Sequence, residues 1–158
     1  MAEDPGWEIA PLSRTHDRAG FDCGEPALDS FLARYARQNQ DQGISRTYVA
    51  TRPGEKRVVG YFTLSTGSVE IRNLPEAAGR RLPKYPVPVI HLGRLAVDRS
   101  VAGQGLGERL LVESLRISLR ASEAVGAFAV EVVAKNEAAR AFYARYGFVS
   151  LEDDRLHL

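Results

Sequence analysis

Hydrophobic positions along the chain change period several times, and each change marks an element. Residues 7–12 read as a short first strand. Pro26 stands at a first helical position and opens a helix reaching about Gln40, because proline's fixed φ and missing N–H suit that position. Leu28, Phe31, Leu32, Tyr35 and Ala36 follow the i, i+3, i+4, i+7, i+8 spacing of one helix face, leaving Asp29, Ser30, Arg34 and Arg37 off the stripe. Residues 47–51 and 57–69 then read as two β-rich strands of a hairpin, turned at Pro53-Gly54.

Residues 72–88 carry four prolines with Arg80, Arg81, Lys84 and Tyr85, which predicts a surface loop with one turn of helix at 76–80. Residues 89–97 form a strand, and 105–122 a helix with Leu106, Leu110, Leu111 and Leu115 on one face. The nearly unbroken apolar run 127–133 suits a parallel central strand buried on both faces. Asn136 is a good N-cap for a last helix ending near Tyr146, with Gly147 at its C′ position and Phe148 opening a final strand. This order argues an α/β or α+β domain built on one central sheet.

Between the strand at 89–97 and the following helix lies Val101-Ala-Gly-Gln-Gly-Leu-Gly107. A strand, a glycine-rich turn and a helix start present unpaired amides at the positive end of the helix dipole, so the segment is a candidate pyrophosphate cradle. Glu108 follows Gly107, so the lysine and hydroxyl of an NTPase phosphate loop are absent, and the glycine spacing does not fit the dinucleotide-binding pattern.

The 158 residues, 44% hydrophobic, suffice for a single domain over 1–158 and not for two ordinary ones. The start is acidic and no apolar run approaches a membrane span, which predicts a cytosolic protein. The single cysteine, Cys23, leaves no intrachain disulfide. His16, His91 and His157 are scattered without ligand spacing, so no metal is expected.

Three ordered segments, Arg94-Leu-Ala-Val-Asp98, Gly103-Gln-Gly-Leu-Gly107 and Ala141-Phe-Tyr-Ala-Arg-Tyr-Gly-Phe148, resemble the GCN5-related N-acetyltransferase (GNAT) family. Phe21-Asp-Cys-Gly24, Thr47-Tyr-Val49 and Arg81-Leu-Pro-Lys-Tyr-Pro-Val-Pro88 leading into Leu92-Gly-Arg-Leu-Ala-Val97 are similar to its toxin branch, which acetylates aminoacyl-tRNA. The resemblance implies a mixed sheet with helices on both faces and acetyl-CoA as donor. It would set the pyrophosphate on the amides of Ala102, Gly103, Gln104, Gly105, Leu106 and Gly107, and the pantetheine arm along the backbone of Leu95, Ala96 and Val97. Asn136 would lie beside the cofactor, and Tyr143 would be the catalytic tyrosine. A homodimer and a ribbon-helix-helix antitoxin are also implied. Ala102 departs from the family pattern, which usually has Gln or Arg there, and Val133 stands where many relatives have an acidic residue.

The chemistry suits Tyr143 on separate grounds. Acetyl transfer expels a thiolate whose thiol has a pKa of about 8.5, and a phenol near 10 can donate to it. No carboxylate lies within 89–97, where some acetyltransferases place a base. An aminoacyl α-amine titrates below the terminal value of about 8 and arrives largely deprotonated, which favours an α-amine acceptor over a lysine. A lone strand histidine such as His91 more often serves structure than catalysis. Arg34, Arg37, Arg80, Arg81, Lys84 and Arg94 are candidates for gripping a tRNA acceptor end, with Tyr85 stacking on a base. An ordinary acetyltransferase for a small amine or protein amino group, or an inactive acetyl-CoA- or RNA-binding module, remains open.

Overall fold

The computed structural model describes residues 6–70, Leu74 and 86–158. Among them, strands β1 (Glu8–Pro11), β2 (Arg46–Thr51), β3 (Val58–Val69), β4 (Val87–Val97) and β5 (Ala129–Val132) form one sheet in that order. β1 and β2 pair antiparallel, as do β2 and β3, whereas β5 runs parallel to β4 from Val89↔Ala129 to Leu92↔Val132. Helices α1 (Pro26–Ser30), α2 (Ala36–Asp41), α3 (Leu106–Ala124) and α4 (Glu137–Ala144) accompany the sheet. Of the loop predicted over 72–88, residues up to Tyr85 other than Leu74 lie outside the described residues, but Val87 and Pro88 belong to β4. Proline ends a sequence-based strand because it cannot donate, yet the Pro88 carbonyl still accepts from Phe128 N at 2.8 Å. By contact the chain divides into two compact units, residues up to 65 with 93–117, and 66–92 with 118–158.

The first unit is organised by neighbouring positions of β3, whose side chains point to opposite faces. Tyr61 is fully buried with Phe21 at 5.4 Å and Phe31 at 6.3 Å, and its hydroxyl donates to Leu28 O at 2.6 Å. Around it pack Leu12, Leu32, Ala36, Val49, Val58 and Ala96, each large aliphatic side chain contributing about 1.5–3 kcal/mol on burial. On the other face, Gly60 has no side chain, and α3 fills the space. A Cβ at Gly60 would stand 2.9 Å from Leu106 Cδ2, 3.0 Å from Leu110 Cδ1 and 3.4 Å from Ala96 O. Helices therefore cover both faces of this part of the sheet.

The helix predicted from Pro26 is interrupted by a π-helical turn over Phe31–Tyr35, where Ala36 N donates to Phe31 O. The extra residue in that turn rotates the helix beyond it. Phe31, Leu32 and Ala36 stay buried, but Tyr35 is 50% exposed and leaves the stripe on which 3.6-residue spacing had put it.

In the second unit, β5 is not the doubly buried central strand its composition suggested. Only Val132 is buried, and Val133 just beyond is 54% exposed. The free edge of β5 is taken by the tail: Leu158 N and Val132 N exchange bonds with each other's carbonyls at 2.9 and 3.0 Å, and Ala134 N donates to Leu156 O at 2.7 Å. No strand opens at Phe148; after Gly147, in the left-handed region at φ 94°, the chain is irregular until an antiparallel bridge pairs His157 with Val133. Asn136 caps α4 as predicted, its Oδ1 accepting from Ala139 N at 2.9 Å.

Gly60→Val forces branched carbons against α3 and is expected to destabilise the protein by about 1–3 kcal/mol, read as a lower urea midpoint at unchanged m-value.

Candidate active site

The glycine turn of the first unit hangs from one buried carboxylate. Asp98 follows the last residue of β4, and its own amide donates to Val59 O at 2.8 Å. Its carboxylate accepts Asp22 N and Ser100 N, both at 2.9 Å, and faces Arg57 Nη2 at 3.4 Å. Burial, the largest influence, pushes this carboxyl's pKa up. The amide and Ser100 bonds and the Arg57 charge together outweigh it and hold the pKa below the ordinary aspartate value.

From this anchor the chain makes one 3-10 turn, Arg99–Val101, and then passes Gly103 at φ 77° and Gly105 at φ 85°, a region only glycine enters freely. Nothing lies within 4 Å of a Cβ built at either glycine, so the approach to the backbone is open. Buried Leu106 pins the start of α3 beneath it. Among the described residues no protein acceptor takes the amides of Gly103, Gly105, Leu106 or Gly107, whereas those of Ala102 and Gln104 bond within the turn at 3.2 and 3.4 Å. Four orphan donors at the positive end of a 19-residue helix fit a pyrophosphate. Of the six amides expected to serve, two are already used.

The Phe21-Asp-Cys-Gly24 segment buttresses this turn. Asp22 reaches Arg99 Nε at 3.5 Å, and a Cβ at Gly24 would meet Arg99 Nη2 at 3.1 Å. Leu95 and Val97 are half-buried on β4, and Ala96 is in the core. Arg94 lies over Phe31, its guanidinium carbon 3.6 Å from the ring centroid, and no ion pair joins it among the described residues. Arg34 is exposed and Arg37 half-buried, while Arg80, Arg81, Lys84 and Tyr85 lie outside the described residues.

In the second unit, Tyr143 is 7% exposed, with Phe142 at 5.3 Å and Phe148 at 5.5 Å edge-on to its ring. Burial pushes its pKa up to about 12, so it is fully protonated at neutral pH and suited to donate. Asn136 is exposed and its side-chain oxygen is committed to the cap, leaving its amide nitrogen for any ligand. Sequence reasoning missed the anchoring carboxylate of Asp98, although the residue closes the Arg94–Asp98 motif. It also missed Glu131, the one charge inside the apolar run 127–133, which sits opposite His91.

The Acetyltransferase (GNAT) family model matches this chain over residues 13–148. The chain belongs to the GNAT acetyltransferase family. It is 42% identical over 147 residues to a tRNA-acetylating toxin of Mycobacterium tuberculosis, covering 93% of this chain and 87% of that protein. The solved structure of AtaT complexed with acetyl-methionyl-tRNAfMet is 35% identical with a TM-score of 0.90, over 96% of this chain and 92% of that one. A tyrosine-to-phenylalanine mutant of AtaT, bound to the C-terminus of the antitoxin AtaR and acetyl-CoA, is 33% identical with a TM-score of 0.81, over 96% and 91%.

Replacing Asp98 by Asn in this acetyltransferase removes a charge that two amides and an arginine are arranged to meet. The expected loss of stability is about 1–3 kcal/mol at neutral pH, with KM for acetyl-CoA rising more than kcat falls. Since the folded pKa is depressed, this contribution is present above the unfolded value of about 4 and is lost as pH falls through the folded one. Urea titrations of both proteins from pH 7 to pH 2 should therefore converge at the acid end.

Proposed function

We propose that this acetyltransferase moves the acetyl group of acetyl-CoA to the α-amino group of an aminoacyl-tRNA and blocks translation as the toxin of a toxin–antitoxin pair. The observation that carries the reading is likeness, over nearly the whole chain, to a tRNA-acetylating toxin and to AtaT complexed with acetyl-methionyl-tRNAfMet. The antitoxin-bound AtaT structure supports a partner of that kind here, and the toxin reading carries with it a cytoplasmic homodimer and a ribbon-helix-helix antitoxin. No helix among the described residues is long and apolar enough to cross a membrane.

The roles follow from chemistry. The amides of Gly103, Gly105, Leu106 and Gly107 hold the donor's pyrophosphate, and the backbone of Leu95, Ala96 and Val97 holds its pantetheine arm. Asn136 lies beside the donor through its side-chain nitrogen. Tyr143 meets the sulfur. A phenol at about 12 faces a thiol of about 8.5, so full transfer to a free thiolate would run uphill. Tyr143 therefore acts by donating a strong hydrogen bond as charge builds on sulfur, without giving up its proton to a free thiolate. Arg94, already desolvated on one side by Phe31 and lacking an ion-pair partner among the described residues, is suited to an acceptor-end phosphate. Arg34, Arg37, Arg80, Arg81 and Lys84 supply the salt-dependent remainder of the grip.

Tyr143→Phe keeps the ring packing and removes only the donor. Its turnover on charged tRNA should fall by at least about 100-fold while acetyl-CoA affinity, measured by calorimetry, stays within about twofold. Retained turnover would contradict the assignment.

A further inference from the structure

The outer edge of β5 is closed by backbone and by one side chain together. Val132 N and Leu158 N exchange bonds with each other's carbonyls, Ala134 N donates to Leu156 O, and His157 is the bridge partner of Val133. From that position the His157 ring stands between two carboxylates. Its Nε2 is 2.5 Å from Glu131 Oε2 on β5, and its Nδ1 is 3.1 Å from Asp153 Oδ2 in the bend just before the segment. The neighbouring Arg155 reaches α4, with Nε 2.7 Å from Glu137 Oε1 and Nη2 3.1 Å from Glu137 Oε2. From β4, His91 Nδ1 stands 3.2 Å from the other oxygen of Glu131 without a well-aligned hydrogen bond. No further ion pair joins Glu131, Asp153, His91 or His157 among the described residues. Besides these contacts the segment is held by Leu158, whose side chain is buried.

An imidazole satisfies two carboxylates only as the cation. Protonated, both of its nitrogens donate; neutral, it keeps one N–H, and the other nitrogen turns a lone pair toward a carboxylate. The Glu131 contact exists only while the segment lies along β5, because Glu131 belongs to the strand and His157 to the segment. The docked segment therefore holds the proton more tightly than the released one. Burial, the largest influence, lowers the pKa of His157, but the hydrogen bonds and charges of Glu131 and Asp153 outweigh it and raise the pKa above the ordinary histidine value. A group whose docked pKa is raised contributes its full stabilisation below the free value, about 6.5, and loses it as pH rises through the docked value.

We propose that residues 156–158 are a proton-controlled latch on the edge of β5, closed while protonated His157 bridges Glu131 and Asp153 and released as that proton leaves. On release the amides of Val132 and Ala134 lose their acceptors, so the strand edge is bare, and Arg155 no longer holds Glu137 in the first turn of α4. That helix carries Tyr143. The latch is a property of the second unit and stands whatever acceptor the enzyme acetylates.

The test is amide hydrogen exchange from pH 5 to pH 9, corrected for the intrinsic pH dependence of exchange, beside an NMR titration of His157 in the same protein. The opening constant reported by the amides of Val132 and Ala134 should rise through the His157 midpoint. Linkage fixes the size of that step: about tenfold for each pH unit by which the midpoint exceeds the free value of about 6.5. The amide of Leu12, bonded to Thr47 O at 2.9 Å in the first unit, should show no such step. His157→Gln should abolish the step. Asp153→Asn, at an exposed position, should lower the midpoint and shrink the step by the same factor. Opening at Val132 and Ala134 that does not change with pH overturns the latch. So does a step that persists in His157→Gln, that appears equally at Leu12, or whose size disagrees with the His157 midpoint.

Discussion

The first unit depends on a buried carboxylate placed where a strand must stop and a helix must start. Asp98 converts the end of β4 into a fixed point: it takes two amides that would otherwise be orphaned, one from the turn and one from the Phe21–Gly24 segment, and draws in Arg57. With that satisfied, the next residues can leave their own amides unpaired. Orphan donors are costly when buried and inexpensive when water reaches them. Residues 102–105 of the turn are exposed and nothing lies near a Cβ at Gly103 or Gly105, so there an anion can replace the water. Gly60 extends the same logic beneath the turn, because only a residue without a side chain lets Leu106 seat the helix start so close to β3.

The second unit solves a different problem, that of a parallel strand with little apolar cover. β5 is short, its outer edge would be unpaired, and it carries a carboxylate. The tail closes the edge by backbone pairing, and His157 brings to Glu131 a partner that its own strand does not supply. Structural closure and side-chain chemistry thus coincide: the segment that covers the edge also delivers the histidine that pairs with Glu131.

Much of this was legible in sequence because it rests on local rules. The helix face of Leu106, Leu110 and Leu111, the Asn136 cap, the Gly147 stop and the hairpin of β2 and β3 follow from spacing and capping chemistry. The features that escaped have non-local causes. The π turn at Phe31–Tyr35 is invisible because the apolar spacing fits an ordinary α-helix until the inserted residue turns Tyr35 outward. The exposure of β5 escaped because an apolar run reports composition and says nothing of which neighbours arrive. Asp98 and His157 become informative only when segments 76 and 26 residues away in sequence are brought to them.

The identity of the acceptor decides the function. Labelled acetyl-CoA, supplied with a pool of charged tRNAs and in parallel with uncharged tRNA, free amino acids and a peptide mixture, reads this directly. Label appearing only on charged tRNA, and released with the amino acid on mild deacylation, is the predicted result. Label on peptides or free amines with none on charged tRNA would contradict it and leave an acetyltransferase of another substrate class.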